Sequence, residues 1–582
     1  MHGMPATCRA VFNCSLIVHF ARPFEDLSAM PKEVRMKSLD YSLETPTYSE
    51  QKPFYLGILT VCAFLAISLF FRLHDFEKVT GSQNLEASYH VLITLNALNE
   101  SDVARHWYLP TISLGEEKDK HIAWGATIPT RTGDYVYTSF TPYGFLAPYF
   151  ALKVSGQPIS LESLAFFNFV LGSVITLLLF TFLFKVLRFN GLNAWSAVSG
   201  ALLGSAIGIF SREALLSHGV IYWVQSFYQL ILLSSLFVLF KYCSTTGAQS
   251  RQRYAWALCV LAFLGALTEW TGYFFNFGLF CILWVNTLKI DGSRWLSKKI
   301  CIATILAGVI TILHYSLAAG LLPTLKAFAR RFLARSAGAG SLSDLLHAYL
   351  LSYGYFIAAL VITGAALIWL RKSQKAPNRA LSITLVVLIA ASVPLLENLV
   401  MLQHATQFSF DRLKFIFPAA LLLGLSLLYF RTKGRAVLAG LIALAAIQGC
   451  MTYKKDIATY AAWPLIDQQN KQLASLVEQE LDIKCAVLST DMSVRGYTNL
   501  LFHRGVYELR PQPVDFQRDP SNCGGVYLEG KDFQVDLPEY TKATVVERGN
   551  RVVTFVKDQG QWRRLGVSQR QRMSQTSLEV NL

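Results

Sequence analysis

The chain has 582 residues, of which 53% are hydrophobic and only 16% charged, with a mean hydropathy of +0.37; this excludes a soluble multidomain enzyme and makes the bilayer its solvent. A formal net charge of +15 would point to nucleic acid in a soluble protein, but the Lys and Arg side chains fall largely in short connections between apolar runs, so the charge reports orientation and no nucleic-acid partner is expected. No Walker loop, no GxGxxG in a βαβ setting and no CxxC pair occurs, which leaves no nucleotide-driven or zinc-ribbon reading.

Residues 1–29 differ in character from the rest of the chain. The mixed run 10–21 is too short to span and lacks a small-residue cleavage site, and an alternative start at Met30 is expected. The segment 1–53 carries Lys32, Arg35, Lys37 and Lys52 and is read as cytoplasmic. Uncharged runs at 54–71, 166–184, 301–325 and 415–430 are each long enough to approach the width of a hydrocarbon core. Basic connections at 185–188, 241–253, 289–299, 371–379 and 431–435 alternate with connections at 72–160, 211–217, 268–272, 323–346 and 398–412. Placing the basic set in the cytoplasm gives an α-helical polytopic membrane protein with about eleven transmembrane helices, N-terminus in and C-terminus out. The membrane domain then covers 54–453, with a first outer loop at 72–160. The stretch 255–285 is too long for one span yet joins two basic connections, so it is read as two short helices meeting at Glu269, which faces the outer surface or a water-filled cavity.

In the first outer loop, Leu85, Tyr89, Leu92 and Leu95 follow helical spacing after Gly81-Ser82-Gln83-Asn84, the pattern of an amphipathic helix lying on the membrane surface. Residues 454–582 combine a helical stretch, 466–481, with β-like runs at 485–489, 525–528 and 543–556, and are read as a small extramembrane α/β or α+β domain of about 130 residues. Its Cys485 and Cys523 either pair in an oxidising compartment or remain free thiols.

Ionisable side chains at the outer helix ends carry the chemical interest, because charge near hydrocarbon is costly. Glu86 opens the surface helix with His90 one turn away; it either accepts a proton from an acceptor hydroxyl or caps its helix. Asp75 is the second candidate base, or an interfacial anchor beside His74. Arg331 and Arg335 share a helical face, with Arg330 adjacent, and either clamp a phosphate or form a headgroup stripe. Arg212, Glu213, His218, Glu269, His404 and Arg412 complete the set, as cavity groups or as internal ion pairs that fix helix packing. Tyr135, Tyr137, Phe140 and Tyr143 either stack on a sugar or form an interfacial aromatic belt.

The layout resembles the GT-C glycosyltransferases, specifically the branch of protein O-mannosyltransferases and lipid A aminoarabinose transferases. The stretches that carry the likeness are Leu85-Glu86-Ala87-Ser88-Tyr89-His90, Asn99-Glu100-Ser101-Asp102 and Tyr137-Thr138-Ser139-Phe140-Thr141-Pro142. They stand where that branch has an Asp-Glu pair followed by Arg-Tyr-Ala, a Gly-Asp-Trp step, and later a Tyr-x-x-Lys-Pro-Pro segment; Leu85 replaces the family's Asp, and Phe140 or Thr141 its Lys. The resemblance implies inverting transfer of a sugar from a polyprenyl-phosphate donor to a lipid, glycan or protein acceptor on the outer face. It implies no cofactor and no catalytic metal. Glu86 would activate the acceptor, with Arg331, Arg335 and Arg212 on the departing phosphate. A transporter or flippase for a lipid-linked or anionic solute is the alternative from another class, and an inactive scaffold a third. The location implied is a bacterial inner membrane with the C-terminal domain in the periplasm, or alternatively the endoplasmic reticulum.

Overall fold

A computed structural model describes residues 48–77, 85–113, 126–336, 341–371, 379–430 and 432–459, together with six strands between 487 and 564. Of residues 48–50, 85, 86, 366–371 and those six strands only the backbone is described. The expectations for 1–29, for 466–481 and for Cys485 and Cys523 fall outside the described residues.

The helices in chain order are α1 (Tyr48–Arg72), α2 (His90–Glu100), α3 (Tyr143–Ser155), α4 (Leu161–Phe189), α5 (Ala194–Phe210), α6 (Val224–Ser244), α7 (Ala248–Thr268), α8 (Thr271–Val285), α9 (Ser293–Ala319), α10 (Leu321–Ser336), α11 (Leu342–Tyr353), α12 (Tyr355–Arg371), α13 (Arg379–Ser392), α14 (Ile416–Leu425) and α15 (Thr432–Thr459). Among the described residues six helices are long and apolar enough to cross a membrane, and two sharply bent pairs raise the number to eight if each is one span. The protein is an integral membrane protein. Starts are set by local chemistry: Ser160 Oγ accepts from the Ser163 amide ahead of α4, Asn193 Oδ1 from Ser196 ahead of α5, and Ser341 forms a capping box with Asp344 ahead of α11.

The expected break in 255–285 is present. Helices α7 and α8 turn back on one another around Glu269, with Asn276 Nδ2 donating to Ala262 O at 2.8 Å. The described residues of the two sets of connections expected from charge gather at opposite ends of the bundle. At the basic end Asn190 reaches Thr384 at 2.8 Å, Arg435 reaches Ser196 at 3.2 Å, and the Trp256 and Trp295 rings lie 5.8 Å apart. The other end is built over by residues 85–113 and 126–155. Here the helix expected on the membrane surface differs: Leu85–Tyr89 is a π turn running into α2, and Ala87 through Leu92, Thr94, Leu95, Ala97 and Leu98 are all buried. The periodicity is that of a helix wedged into protein, which covers its polar as well as its apolar side. The hairpin of β1 (Thr127–Pro129) and β2 (Tyr135–Tyr137) lies beside it, and the loop before it is fastened to α9 by His314 against Trp107 O.

The described C-terminal strands, β3 (Val487–Ser489), β4 (Val506–Glu508), β5 (Gly524–Glu529), β6 (Thr541–Thr544), β7 (Arg551–Asp558) and β8 (Gln561–Arg564), form one mixed sheet. Its order is β4-β3-β5-β7-β6 with β8 on β7; β3 runs parallel to β4 and β5, and the remaining pairs are antiparallel.

Close helix approach depends on glycine at several places, Gly354 and Gly449 among them. Gly354, at φ +45° in the 101° bend between α11 and α12, has Gln448 where a Cβ would stand. Gly449 of α15 lies so near α5 that a Cβ would sit 2.0 Å from Phe210 O, whereas a Cβ on Gly440 of the same helix would meet nothing within 4 Å. Gly449→Ala is expected to destabilise the protein by about 1–3 kcal/mol through overpacking and Gly440→Ala to leave it unchanged, read as thermal unfolding in detergent.

Candidate functional site

Where α5 ends, Ser211 caps a short turn, Arg212–Leu215, which carries Glu213 into the interior with no exposure. An isolated carboxylate there would be untenable. Arg412 donates to its Oε1 from Nη2 at 2.7 Å and Nε at 3.0 Å, Ser352 donates to the same oxygen, and Arg212 Nη1 approaches at 3.3 Å. Arg212 Nε also donates to Asp456 of α15 at 2.5 Å, and Arg412 closes its own segment by donating to Ala405 O and Thr406 O. Of the open readings for Arg212, Glu213 and Arg412, the geometry is that of ion pairs joining α5, α11, α15 and the segment 402–415. Asp75 is fastened in the same way, accepting from Tyr453 Oη at 2.9 Å and Lys454 Nζ at 3.0 Å. His218 lies buried in a second π turn, Leu216–Val220, beside Arg72, whose Nη1 donates to Leu215 O at 2.9 Å and His218 O at 3.1 Å.

A second buried network surrounds Glu269. Its Oε2 accepts from the Thr271 amide, Thr271 Oγ1 donates to Glu397, and Lys414 Nζ donates to Glu397 Oε2 at 2.6 Å. On its other side Gln225 Nε2 lies 3.4 Å from Glu269 Oε1 and donates to Asp411 Oδ1 at 2.8 Å, while Asp411 Oδ2 is bonded to His404 Nδ1. The segment 402–415 lies between membrane helices. Burial works to raise the Asp411 carboxyl, but His404, Lys414 and Arg335 hold it down to about 2; burial in turn lowers the His404 imidazole despite Asp411.

Over this network lies α10. It is amphipathic, with Thr324 and Ala327 buried and Leu321, Leu322, Leu325, Phe332 and Leu333 exposed, as suits a helix at the edge of a bilayer. Arg331 Nε donates to Ser139 Oγ at 2.7 Å, Arg335 Nη1 to Ser139 O at 3.3 Å, and the Arg335 guanidinium sits 4.4 Å from the centre of the Phe140 ring. Arg330, on the same helix, is exposed. Trp270 Nε1 donates to the same Ser139 carbonyl at 2.8 Å, joining the turn of Glu269 to the loop under the arginines. Tyr137 and Phe140 are buried, so neither belongs to an exposed interfacial belt; they pack with Trp223, which also meets His90 at 5.5 Å. His90 is thus joined to Phe140 and Arg335 through packed rings. The backbone of Glu86 lies one turn before His90, and its side chain falls outside the described atoms.

Arg331, Arg335, His404 and Glu269 are therefore linked in one cluster of side chains, with His90 joined to it through packed rings. Asp75, Arg212, Glu213 and Arg412 form the neighbouring ion-pair layer. Gln225 was not singled out by sequence and carried no signal there, and Ser139 stood only within the stretch 137–142 that carries the resemblance.

A polytopic helical bundle whose first long connection folds over one end, above a cluster of charged side chains, is similar in fold to several solved structures. The solved structures it is similar to include ArnT from Cupriavidus metallidurans in the apo state, at 12% identity and TM-score 0.54 over 87% of this chain and 98% of that one. The same protein bound to undecaprenyl phosphate matches at 11% identity and TM-score 0.54 over 85% and 97%. The oligosaccharyltransferase AglB from Archaeoglobus fulgidus, in complex with an inhibitory peptide and a dolichol-phosphate, matches at 12% identity and TM-score 0.49 over 82% and 69%. No family model matches the sequence, and no curated protein matches it.

Removing one partner of the Glu213–Arg412 pair leaves a buried charge uncompensated. Arg412→Met is expected to cost about 3–5 kcal/mol, and adding Glu213→Gln to recover a substantial part of it, measured by thermal unfolding of the detergent-solubilised variants.

Proposed function

We propose that the protein is a membrane glycosyltransferase that moves a sugar from a polyprenyl-phosphate donor to an acceptor hydroxyl or amine, with inversion, on the outer face of the membrane. The observation that carries this reading is the pair Arg331 and Arg335, held by Ser139 and Phe140 on a helix with an apolar exposed side, directly above the buried network of Glu269, Asp411 and His404. Guanidinium groups in that setting suit a lipid phosphate whose chain runs along the exposed leucines. Fold likeness to a protein whose crystal structure holds undecaprenyl phosphate supports the same donor class.

In this reading Arg331 and Arg335 bind the donor phosphate and stabilise the charge that grows on it as the glycosidic bond breaks. Arg330 lies outward, where it meets headgroups. Glu86 orients the acceptor from its turn beside His90. Arg212 and Asp75 are each bonded to α15, and this reading gives them structural duties. Membrane lipid and a polyprenyl-phosphate sugar are the partners, with a glycan, lipid or protein as acceptor. The setting is a bacterial inner membrane with residues 454–582 in the periplasm, the endoplasmic reticulum being the alternative.

A transporter would place its charged groups along a path through the bundle. Among the described residues the buried ionised networks gather at one end of it, which favours transfer over transport.

Purified protein is expected to bind undecaprenyl phosphate, detected by native mass spectrometry. Arg331→Gln with Arg335→Gln should weaken that binding at least about tenfold, the loss of one or more charge-assisted hydrogen bonds. Equal binding by wild type and double variant would remove the arginines from the donor site. Absence of binding by wild type would remove the donor class.

A further inference from the structure

The His404–Asp411 pair has a geometry that ion pairing alone does not require. Asp411 is fixed through both oxygens, by Gln225 Nε2 at 2.8 Å on one and by His404 Nδ1 on the other. The imidazole is therefore held at one orientation by a carboxylate that cannot rotate. Among the described residues His404 Nε2 makes no hydrogen bond, and the side chain keeps 13% exposure, so that nitrogen remains open to an incoming group. Closing the 402–415 segment does not need this pair, because Arg412 Nη1 already donates to Ala405 O at 2.5 Å and Thr406 O at 3.1 Å.

The surroundings of His404 suit a reaction involving an anion. Its ring lies 6.1 Å from that of Phe140, which also meets the Arg335 guanidinium at 4.4 Å. Arg335 Nε is buried and has no hydrogen-bond partner among the described residues. An open imidazole nitrogen and an unsatisfied guanidinium N–H thus flank one aromatic ring, and a ligand offering a hydroxyl to the first and a phosphate oxygen to the second would satisfy both.

We infer that His404, oriented by Asp411, is the general base of the transfer: its Nε2 takes the proton of the acceptor hydroxyl. This rests on the transferase reading and names a catalytic residue within it. As the acceptor oxygen bonds to the anomeric carbon, the bond from that carbon to the phosphate oxygen breaks, and its electron pair leaves on the polyprenyl phosphate facing Arg331 and Arg335. The proton rests on His404 Nε2 beside ionised Asp411 and passes to water as the product leaves. An aspartate that holds Nδ1–H so that Nε2 is the accepting nitrogen is the general arrangement of a carboxylate-oriented histidine base. Asp411 is a positioning residue, Glu86 orients the acceptor, and the proton goes to His404.

The test uses the full chain in detergent with undecaprenyl-phosphate-linked mannose, glucose and aminoarabinose as donors, scoring release of undecaprenyl phosphate by mass spectrometry. His404→Ala is expected to lower turnover at least about 100-fold while binding undecaprenyl phosphate as wild type does, and added imidazole should restore at least about a tenth of the lost rate. Asp411→Asn should lower kcat with the donor KM unchanged. The inference is overturned if His404→Ala turns over within about threefold of wild type. It is also overturned if that variant loses turnover together with undecaprenyl phosphate binding and is not rescued by imidazole, the behaviour of a structural residue. Should wild type neither bind undecaprenyl phosphate nor release it from any donor, the transferase reading falls and the base assignment with it; release by wild type with full activity in His404→Ala removes the base assignment alone.

Discussion

Ionised groups withdrawn from water at the end of a hydrophobic bundle have to be paired, and that requirement organises this protein. Glu213 has no exposure and is served by Arg412, Ser352 and Arg212; Asp75 is served by Tyr453 and Lys454. Desolvation consumes most of what such pairs gain in Coulomb energy, so their effect lies less in net stability than in the penalty for any arrangement that breaks them. They join α1 to α15, and α15 through Asp456 to the turn after α5. Two helices at the extremes of the bundle are thereby fixed beside the same short turn.

The cluster next to this layer has a different balance. Glu269, Glu397 and Asp411 are three buried carboxyl groups against the single ammonium of Lys414, with His404 and Arg335 at one side. Arg331 and Arg335 put positive charge above these carboxyl groups. On the proposed function, that arrangement would hold an anionic lipid head at the arginines and direct a sugar attached to it inward, toward His404.

Much of the architecture was legible in the sequence because hydrophobicity and charge act over long, uniform stretches. The break at Glu269 followed from a length argument, and the two sets of connections do separate to opposite ends. The cluster was partly legible: Arg331 and Arg335 stood out as a helical pair, and His404 and Glu269 as ionisable groups at span ends. What remained hidden depends on contacts between residues far apart in the chain. Nothing near Asp75 announces Lys454, and nothing near Gln225 announces that it will lie between Glu269 and Asp411. The surface helix was misplaced for a related reason: the spacing of Tyr89, Leu92 and Leu95 describes one apolar face, and cannot show that the opposite face is covered by α3 and α4 as well.

The two π turns, Leu85–Tyr89 and Leu216–Val220, explain how that wedge is held. A π turn widens the helix and leaves carbonyls without their ordinary amide partners. In the second turn these carbonyls are taken up by side chains from two spans: Arg72 donates to Leu215 O and His218 O, and Asn168 Nδ2 lies 3.0 Å from Ser217 O, 3.1 Å from Gly219 O and 2.9 Å from Ile221 O. The extended residues after this turn then lead outward, so that the Tyr222 amide donates to Ser88 Oγ at 3.2 Å in the first turn and Tyr222 Oη donates to Gly144 O at 2.6 Å in α3. Irregular backbone is tolerated at this depth only because protein groups satisfy it. The consequence is mechanical: the turn bearing Glu86 is fixed to the same connection that carries Glu213, and that connection is bonded through Arg412 to the segment bearing His404. Any displacement of the first loop relative to the 402–415 segment must break buried hydrogen bonds, so the turn bearing Glu86 and the segment bearing His404 keep a fixed spacing.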